Sequence, residues 1–473
     1  MFGLLGTLNL AASSLQAQMT GLEVSGQNLA NVNTTGYTRQ RVNLGTTTDI
    51  GTADGPQGTG VEVTSIEQTV NALLNSQIQN QNSVSGYWNG QQTALQSAQD
   101  GLNEFLSGAS GSSSTGTTTD SSSGLSSQLS GFFDAAQAVA TSPTSTSARQ
   151  TLISAAQSLT TSFNQISDQF SSLNTSLNAS LSGNVTSANQ LLTDIAGLNK
   201  QISTSEFSGG NANDLRDERE QDLENLGSLV SFSSSTGANG SVNVAIGGQT
   251  LVSGDQVADT LQTYSGTNGN LYVQTAAGGV PLTLTGGSMQ GTIAARDGTL
   301  ATLQSGVDTL AGTLITQVNA LHSAGYSMTG STGANFFNGS NAGTITVNAA
   351  LAANPSLIQA SGSATATGDN TVALQIAQLA SANETALGGQ TFQASYTQMV
   401  GAMGDDLQTA NDQVSSQSSV SQMLATQQSS VSGVSVDEEM TNLMSFQKAY
   451  EASSELVQTV NAMLETTIQM KTS

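Results

Sequence analysis

The densest group of side chains with chemical potential is the stretch from Asp214 to Asp222, which reads DLRDEREQD. Paired carboxylates such as those of Asp217 and Glu218 could act as acid and base in the cleavage of a glycan. However, the acids alternate with two arginines at helical spacing, and Asp/Glu–Arg pairs three or four residues apart stabilise a solvated helix. We favour this second interpretation and keep a surface glycan hydrolase as the less favoured alternative.

The counts of other reactive residues limit the remaining chemistry. There is one histidine, His322, and no cysteine, which excludes a three-histidine metal site, a zinc–thiolate centre and a disulfide framework. No serine lies in a G-x-S-x-G elbow, and no G-x-x-x-x-G-K-[ST] loop is present to hold a phosphate. We therefore predict a protein that is not an enzyme, with no cofactor and no metal. We expect His322 to cap or pack the end of a helix.

The composition excludes further classes. Nine Lys+Arg stand against 33 Asp+Glu, so the net charge of −24 repels phosphate backbones and makes nucleic acid an unsuitable partner. No apolar run reaches the length of about 18 residues that a membrane span needs. The N-terminus lacks the positive region of a cleavable secretory signal, so export would leave it intact. With charged residues at 9% and aromatic residues at 4%, we expect small cores and long solvated helices.

The first 30 residues contain a heptad pattern that is typical of a helix packed along another helix. One row comprises Leu8, Leu15, Leu22 and Leu29, and the second row comprises Leu5, Ala12, Met19 and Gly26. We expect Gly26 to pack closely, at a cost in helix stability. The pattern ends in the stretch ANVNTTGYTRQ at residues 30–40.

This stretch is expected to turn the chain away from the helix. Asn31 tolerates bridge or left-handed backbone conformations, and Gly36 allows the chain to reverse at a low cost in conformational energy. Tyr37 can then anchor the chain on an apolar surface. Arg39, one of few cations in an acidic chain, is expected to meet a carboxylate on a neighbouring surface.

The C-terminus repeats the pattern of the N-terminus. Ser435 and Glu438 form an S-x-x-E capping box that opens a helix. Its apolar row at sevens comprises Val436, Leu443, Tyr450, Val457 and Leu464. We predict that the two terminal helices pair with each other and with other molecules.

Between the ends the apolar period changes several times, which predicts a mainly α fold with β inserts. Three units are expected, namely paired terminal coiled-coil-like helices, a helical-bundle domain and a small, self-contained β domain. They comprise 1–66 with 434–473, then 67–228 with 291–433, and 229–290. The second unit includes a β patch near 335–360, and residues 107–131 are of low complexity.

Several stretches resemble the hook-associated protein 1 family of bacterial flagellar axial proteins. The resemblance is carried by residues 25–40 with their GYTRQ ending, by VSVDEEM and FQKAY near the C-terminus, and by LNKQI, NDLRDER, LHSAGY and NFF between them. It covers nearly the whole chain. As one departure, Arg216 stands where the family pattern has a leucine.

The resemblance implies a structural role. It implies a secreted subunit of the bacterial flagellum, at the junction of hook and filament, that leaves the cell unfolded by the flagellar type III pathway. The partners implied are further copies of the chain in the axial lattice, the hook protein, a second junction protein, and a cytosolic export chaperone that binds the C-terminal region. Another axial subunit, of hook, rod or flagellin type, is the alternative within this class.

Overall fold

A computed structural model of the protein describes residues 3–52, 55–106 and 124–472 of the 473-residue chain. Within these ranges no helix combines the length and the apolar character that crossing a membrane would need. The α-helices are Leu4–Ala30 (α1), Ala72–Leu106 (α2), Leu125–Thr141 (α3), Thr146–Phe207 (α4), Asn213–Leu229 (α5), Gly287–Ala295 (α6), Ala301–Ala324 (α7), Ala349–Ala353 (α8), Thr371–Gln378 (α9), Phe392–Ser432 (α10) and Val436–Thr472 (α11).

The strands of the described ranges are short and pair antiparallel. They are Gln40–Thr46 (β1), Ile50–Thr52 (β2), Gly55–Gln57 (β3), Val61–Gln68 (β4), Ser233–Thr236 (β5), Val242–Ile246 (β6), Gln249–Ser253 (β7), Gln256–Val257 (β8), Leu261–Ser265 (β9), Leu271–Thr275 (β10), Phe337–Asn338 (β11) and Thr346–Val347 (β12). β1 pairs with β4 and β2 with β3, β5 to β8 form one sheet in chain order, β9 pairs with β10, and β11 with β12. The predicted fold class, mainly α with β inserts, is confirmed.

The first core lies among α2, α3, α4, α7, α9 and α10. Its centre is aromatic, with the rings of Phe132, Phe336 and Phe337 packed at centroid distances of 4.8–5.9 Å. Phe336 and Phe337 belong to the NFF stretch; Phe337 begins β11 and pairs with Val347 of β12, and Phe336 precedes it. This core therefore accounts for one of the motifs far from the chain ends.

The second core joins the C-terminal half of α4, with α5 and α6, to the strands β6, β7, β9 and β10. Val244, Ile246 and Val273 of the strands are buried together with Leu192 and Ile195 of α4. The strands thus share a core with the helices, and the expected self-contained β domain at 229–290 is wrong in this respect. The sheet has one apolar face, and that face needs a helix to cover it.

Helix α4 connects the two cores. It has 62 residues and is therefore about 90 Å long at 1.5 Å per residue. Ser145 caps its start, because its side chain accepts a hydrogen bond from the Ala148 N–H at 3.2 Å. Residues from Leu152 to Leu177 lie in the first core, and residues from Leu181 to Ala196 lie in the second.

The Ser/Gly-rich segment expected at 107–131 is shorter at its C-terminal end. Residues 107–123 lie outside the described residues. From Leu125 onwards the chain is helical in α3, and Leu125 and Leu129 are 0% and 1% exposed. Two leucines four residues apart share one face of a helix, so they draw this serine-rich stretch into the first core.

His322 lies in the last turn of α7 and is 0% exposed. Its Nε2 accepts a hydrogen bond from the Gln359 N–H at 3.0 Å, so Nδ1 carries the proton and donates to the Ala334 carbonyl at 2.7 Å. Burial, together with the charge of the nearby Arg149, lowers the pKa of His322 to about 4. The side chain is therefore a neutral packing element, as the single histidine led us to expect.

This burial predicts a pH dependence of stability. The unfolded chain binds a proton at His322 near the ordinary pKa of 6.5, whereas the folded chain binds it only near 4. The contribution of His322 is thus present above pH 6.5 and decreases as the pH falls to 4, by about 3 kcal/mol in total. Denaturant titrations of the wild type and of His322→Gln at several pH values should show their difference in unfolding free energy shrinking over this range.

Taking the difference in unfolding free energy between the wild type and His322→Gln cancels the pH dependence of the carboxylates that both proteins contain. Asp217 and Asp222, for example, each have a pKa that burial raises to about 6. A difference that stays constant between pH 7 and pH 4 would show that His322 is not held neutral by the fold.

Candidate assembly interface

The two terminal helices form an antiparallel pair within one chain. Their contacts repeat every seven residues, and each step of seven forward in α1 is matched by a step of seven back in α11. Ser14 Oγ lies 2.9 Å from Ser453 Oγ, Gly21 lies against Phe446, and Asn28 Nδ2 donates to Glu439 Oε2 at 3.1 Å. The heptad pattern thus corresponds to a real helix–helix contact.

The row of α1 that faces α11 is not the predicted leucine row. The contact runs along Ser14, Gly21 and Asn28, and Ala17 and Val24 are buried beside it. Leu8, Leu15, Leu22 and Leu29 each follow this row by one residue, which is about 100° around the helix, and they are only half-buried. The leucine row therefore flanks the contact with α11 and stays a predicted surface for other molecules.

The predicted row of α11 is displaced in the same way. Glu439, Phe446, Ser453 and Val460 form the row that faces α1 or is buried beside it. The predicted residues lie three positions earlier in each repeat: Leu443, Val457 and Leu464 are half-buried, and Val436 and Tyr450 are 46% and 37% exposed.

The pair leaves large apolar side chains exposed. Leu5 and Met19 of α1 are 68% and 48% exposed. On α11, exposures of 44–56% are found for Met440, Met444 and Met463. Apolar side chains that recur along two paired helices form a surface of the kind that marks an interaction site.

Gly21, rather than Gly26, is the close-packed glycine of α1. A Cβ at position 21 would lie 2.6 Å from the Phe446 ring, whereas a Cβ at position 26 would meet nothing within 4 Å. The expectation that Gly26 packs closely is wrong within this chain. The other members of its heptad row, Leu5, Ala12 and Met19, are exposed, so the row faces outwards.

After α1 the chain turns as the sequence indicates. Asn31 ends the helix in the bridge region, with φ −100° and ψ 11°, and its side-chain Nδ2 donates to the Gln27 carbonyl at 3.0 Å. Gly36 has φ +80°, a left-handed conformation that favours glycine. These two residues give the turn that leads into β1.

Beyond the turn, two predicted residues find polar partners in the same chain. The Tyr37 hydroxyl donates to Asn28 Oδ1 at 2.9 Å, and burial, followed by the charge of Asp214, raises the Tyr37 pKa to about 12. Arg39 bridges two carboxylates at the start of α11, Glu438 at 2.7 Å and Glu439 at 2.8 Å. The expected carboxylate partner of Arg39 thus belongs to the helix that pairs with α1.

Asn28 organises this region, although the sequence analysis did not single it out. The side chain is 1% exposed. Its Nδ2 donates to the Gln40 carbonyl at 2.8 Å and to Glu439, while its Oδ1 accepts from the Gln40 N–H at 3.0 Å and from Tyr37. A buried amide with every hydrogen bond made fixes the register of its neighbours. The available signal was an asparagine seven residues after a glycine in a helical heptad.

The charged stretch of α5 forms its contacts with other elements. Arg216 donates to Glu206 at the end of α4, at 2.5 and 2.9 Å, and Arg219 donates to the Asn199 side chain and to the Gly240 carbonyl. The expected pairs within the helix are therefore not the contacts that the arginines make. Two of its acids reach the terminal part of the chain, since Asp214 accepts from Gln40 and Asp217 accepts from Thr38.

The sequence matches three family descriptions. Residues 112–337 match the flagellar hook-associated protein FlgK helical domain, residues 419–470 match the flagellar basal body rod FlgEFG protein C-terminal region, and residues 8–38 match the flagella basal body rod protein family. The two terminal matches contain most of α1 and most of α11, and the central match contains α3 to α7.

Curated relatives extend over the whole chain. Flagellar hook-associated protein 1 of Bacillus subtilis is 28% identical over 98% of this chain and 97% of its own length. The protein of the same name from Salmonella typhimurium is 26% identical over 98% of this chain and 99% of its own. The solved structure of the flagellar hook junction protein FlgK from Burkholderia pseudomallei has the same fold, with a TM-score of 0.63, 19% identity, and coverage of 75% of this chain and 100% of that chain.

Paired terminal helices and these matches define the class: the chain is a flagellar axial protein, a structural component of the bacterial flagellum. Within this class, it is similar to flagellar hook-associated protein 1 over nearly its whole length and to the FlgK helical domain over residues 112–337. The relatives carry names of structural flagellar proteins, which favours the interpretation of the α5 acids as structural groups.

The contact between Gly21 and Phe446 gives a direct test of helix pairing. Gly21→Leu places a side chain where the Phe446 ring lies, so α1 and α11 must move apart. The free energy of opening of α1, measured by amide hydrogen exchange, should fall by about 1–3 kcal/mol.

The matched control is Gly26→Leu, which makes the same change on the same helix where space is open. It gains helix propensity and should leave exchange in α1 equal or slower. Equal loss of protection in both variants would contradict a close contact at Gly21.

Proposed function

We propose that this chain joins the hook to the filament of the bacterial flagellum. It polymerises in the axial lattice through its terminal helices, between the hook protein on one side and a second junction protein on the other. Its role is mechanical, because it connects a flexible segment to a stiffer one. The names of the relatives and of the solved structure support this assignment.

The observation that carries the proposal is the uncovered apolar side of the α1–α11 pair. Helix α11 covers only one side of α1, and Leu5, Met19 and the half-buried leucine row remain on its flank. In a packed lattice, neighbouring copies would cover these side chains, and burial of apolar surface would drive assembly. Of the thirteen predicted interface residues, the nine in the two heptad rows are proposed to act in this contact. The other four, Asn31, Gly36, Tyr37 and Arg39, are proposed to support it by shaping the turn after α1.

Export forms a second part of the proposal. The chain would leave the cell unfolded through the flagellar type III pathway, which makes it a secreted protein. A cytosolic chaperone would bind the C-terminal region before export. The exposed methionines of α11 support this step, because flexible methionine side chains adapt to the groove of a partner.

Other axial subunits remain the alternative within the class. The matches at residues 8–38 and 419–470 carry rod and FlgEFG names, and so they support the axial class as a whole. The match at residues 112–337, by contrast, is to a helical domain named for a hook-associated protein. This central part supports the junction subunit over a hook, rod or flagellin-like subunit.

The position of the protein in the flagellum tests the junction assignment. A labelled antibody against the part of the chain that contains the second core should bind purified flagella at the boundary of hook and filament. Labelling along the filament, along the hook or in the rod would contradict the proposed position, and would favour one of the other axial subunits.

A single charge on the leucine row tests the assembly surface. Leu22→Asp places a carboxylate in the predicted lattice contact, where burial without a partner costs several kcal/mol. Cells with this variant should build hooks, release filament subunits into the medium and swim poorly. The purified variant should keep the melting transition of the two central cores, because Leu22 belongs to neither.

Two further variants serve as controls. Gln16→Asp adds the same charge at an exposed position of the same helix, and Leu22→Met keeps an apolar side chain of similar volume at a cost below about 1.5 kcal/mol. Both should swim normally. Normal filaments on Leu22→Asp cells would refute the leucine row as an assembly surface.

A further inference from the structure

The terminal part of the chain, which comprises α1, the strands β1 to β4 and α11, is attached to the rest through polar contacts. Two short segments connect them, residues 69–71 between β4 and α2 and residues 433–435 between α10 and α11. In the described ranges, the three clusters of buried apolar residues contain no member of α1, β1, β4 or α11. Apolar packing therefore does not fix the direction in which the terminal helices leave the body of the chain.

Asp217 of α5 lies at the centre of this attachment. Its carboxylate accepts hydrogen bonds from the Thr38 N–H at 2.9 Å, from the Thr38 hydroxyl at 2.5 Å and from Gln68 Nε2 at 2.7 Å. Thr38 lies just before β1 and Gln68 ends β4. One carboxylate thus holds the base of the β1–β4 ribbon at both strands.

Other contacts near Asp217 differ in kind. Arg39, which lies between α1 and β1, forms ion pairs with Glu438 and Glu439 of α11. All three residues belong to the terminal part, so these ion pairs do not connect it to the rest of the chain. Gln40 Nε2 donates across the attachment to Asp214 at 2.9 Å, but Asp214 is exposed to solvent. The buried Asn213 also crosses it: its Nδ2 donates to Gln40 Oε1 at 3.2 Å and to the Ile66 carbonyl at 3.0 Å. Its carbonyl accepts from Gln68 Nε2 at 2.8 Å, but all of these Asn213 bonds join neutral groups. Hydrogen bonds to a half-buried carboxylate are stronger than bonds between neutral groups and than bonds at an exposed rim.

The surroundings leave room for a change of angle. A cavity of about 240 Å³ opens beside Asp217, lined among others by Gly36, Thr38, Gln68 and Glu220. If residues 31–39, between α1 and β1, moved into this space, they would meet no close-packed side chains. Hydrogen bonds, rather than steric exclusion, therefore limit the movement, and those of Asp217 are the charge-assisted ones among them.

We propose that Asp217 is a positioning residue: by holding Thr38 and Gln68 on one carboxylate, it sets the direction of the α1–α11 pair relative to the body of the chain. This inference concerns the isolated chain and does not depend on the proposed junction role. A subunit that must present its terminal helices to a lattice gains from a fixed direction, because fewer orientations have to be lost on assembly.

The absence of cysteine from the sequence makes a distance measurement simple. Two cysteines, Gln458→Cys on α11 and Asn225→Cys on α5, both at exposed positions, carry spin labels on the full chain. Pulsed electron paramagnetic resonance then gives the distance distribution between the terminal pair and the body. The wild-type background should give one narrow peak.

Asp217→Asn should broaden this distribution. The amide keeps one acceptor oxygen and turns an NH₂ group towards the donors, so at least one charge-assisted hydrogen bond is lost. The population outside the wild-type peak should rise roughly ten-fold. The melting transition of the two cores should stay unchanged, since a merely structural role would lower it without widening the peak.

Two more variants make the test decisive. Thr38→Val leaves the carboxylate in place and removes the hydroxyl, which donates to Asp217 and accepts from Gln68 Nε2. It should broaden the distribution even if Asp217→Asn folds poorly. Glu218→Gln changes the exposed neighbouring acid and should give the wild-type peak. A narrow peak in both Asp217→Asn and Thr38→Val, or equal broadening in Glu218→Gln, would overturn the proposal.

Discussion

The antiparallel contact of α1 with α11 is the constraint on which the rest of the structure depends. It brings together two chain ends that are separated by the whole central part. The fold of that central part must therefore place the start of α11 close to the end of α1. The close approach at Gly21 and Phe446 allows a narrow contact. A narrow contact covers only one side of each helix, and the wide apolar faces that remain are what a lattice of copies can bury.

Polar groups give this region its specific geometry. Asn28 makes every hydrogen bond of its side-chain amide, and Asp217 accepts three hydrogen bonds from Thr38, just before β1, and from Gln68 at the end of β4. Such networks contribute little net stability, but an alternative register would leave buried groups without partners. The terminal part is therefore directed by hydrogen bonds, whereas the two central cores are stabilised by apolar burial.

Helix α4 explains why the motifs are spread along the whole chain. Asn199 on its surface binds the Val242 and Gly254 carbonyls and accepts from Arg219, which ties α5 and the β sheet to one helix. In the first core, His322 connects α7 to the stretch that follows it, because its ring packs on Phe336 and its Nδ1 donates to the Ala334 carbonyl. Motif residues in the middle of the chain thus hold the body together, while those at its ends direct and present the terminal helices.

The sequence by itself determined the helices, the change to β strands, the turn at Gly36 and the packing of His322 at the end of a helix, because these depend on local period, backbone freedom and counts of residue types. Only the tertiary structure decided which row of α1 faces α11. A heptad pattern gives the width of an apolar face, but the direction of contact depends on the partner's shape, here the Phe446 ring. It also decided the partners of Asp217 and Arg216 and the shared second core, because contacts between distant residues depend on the fold that brings them together.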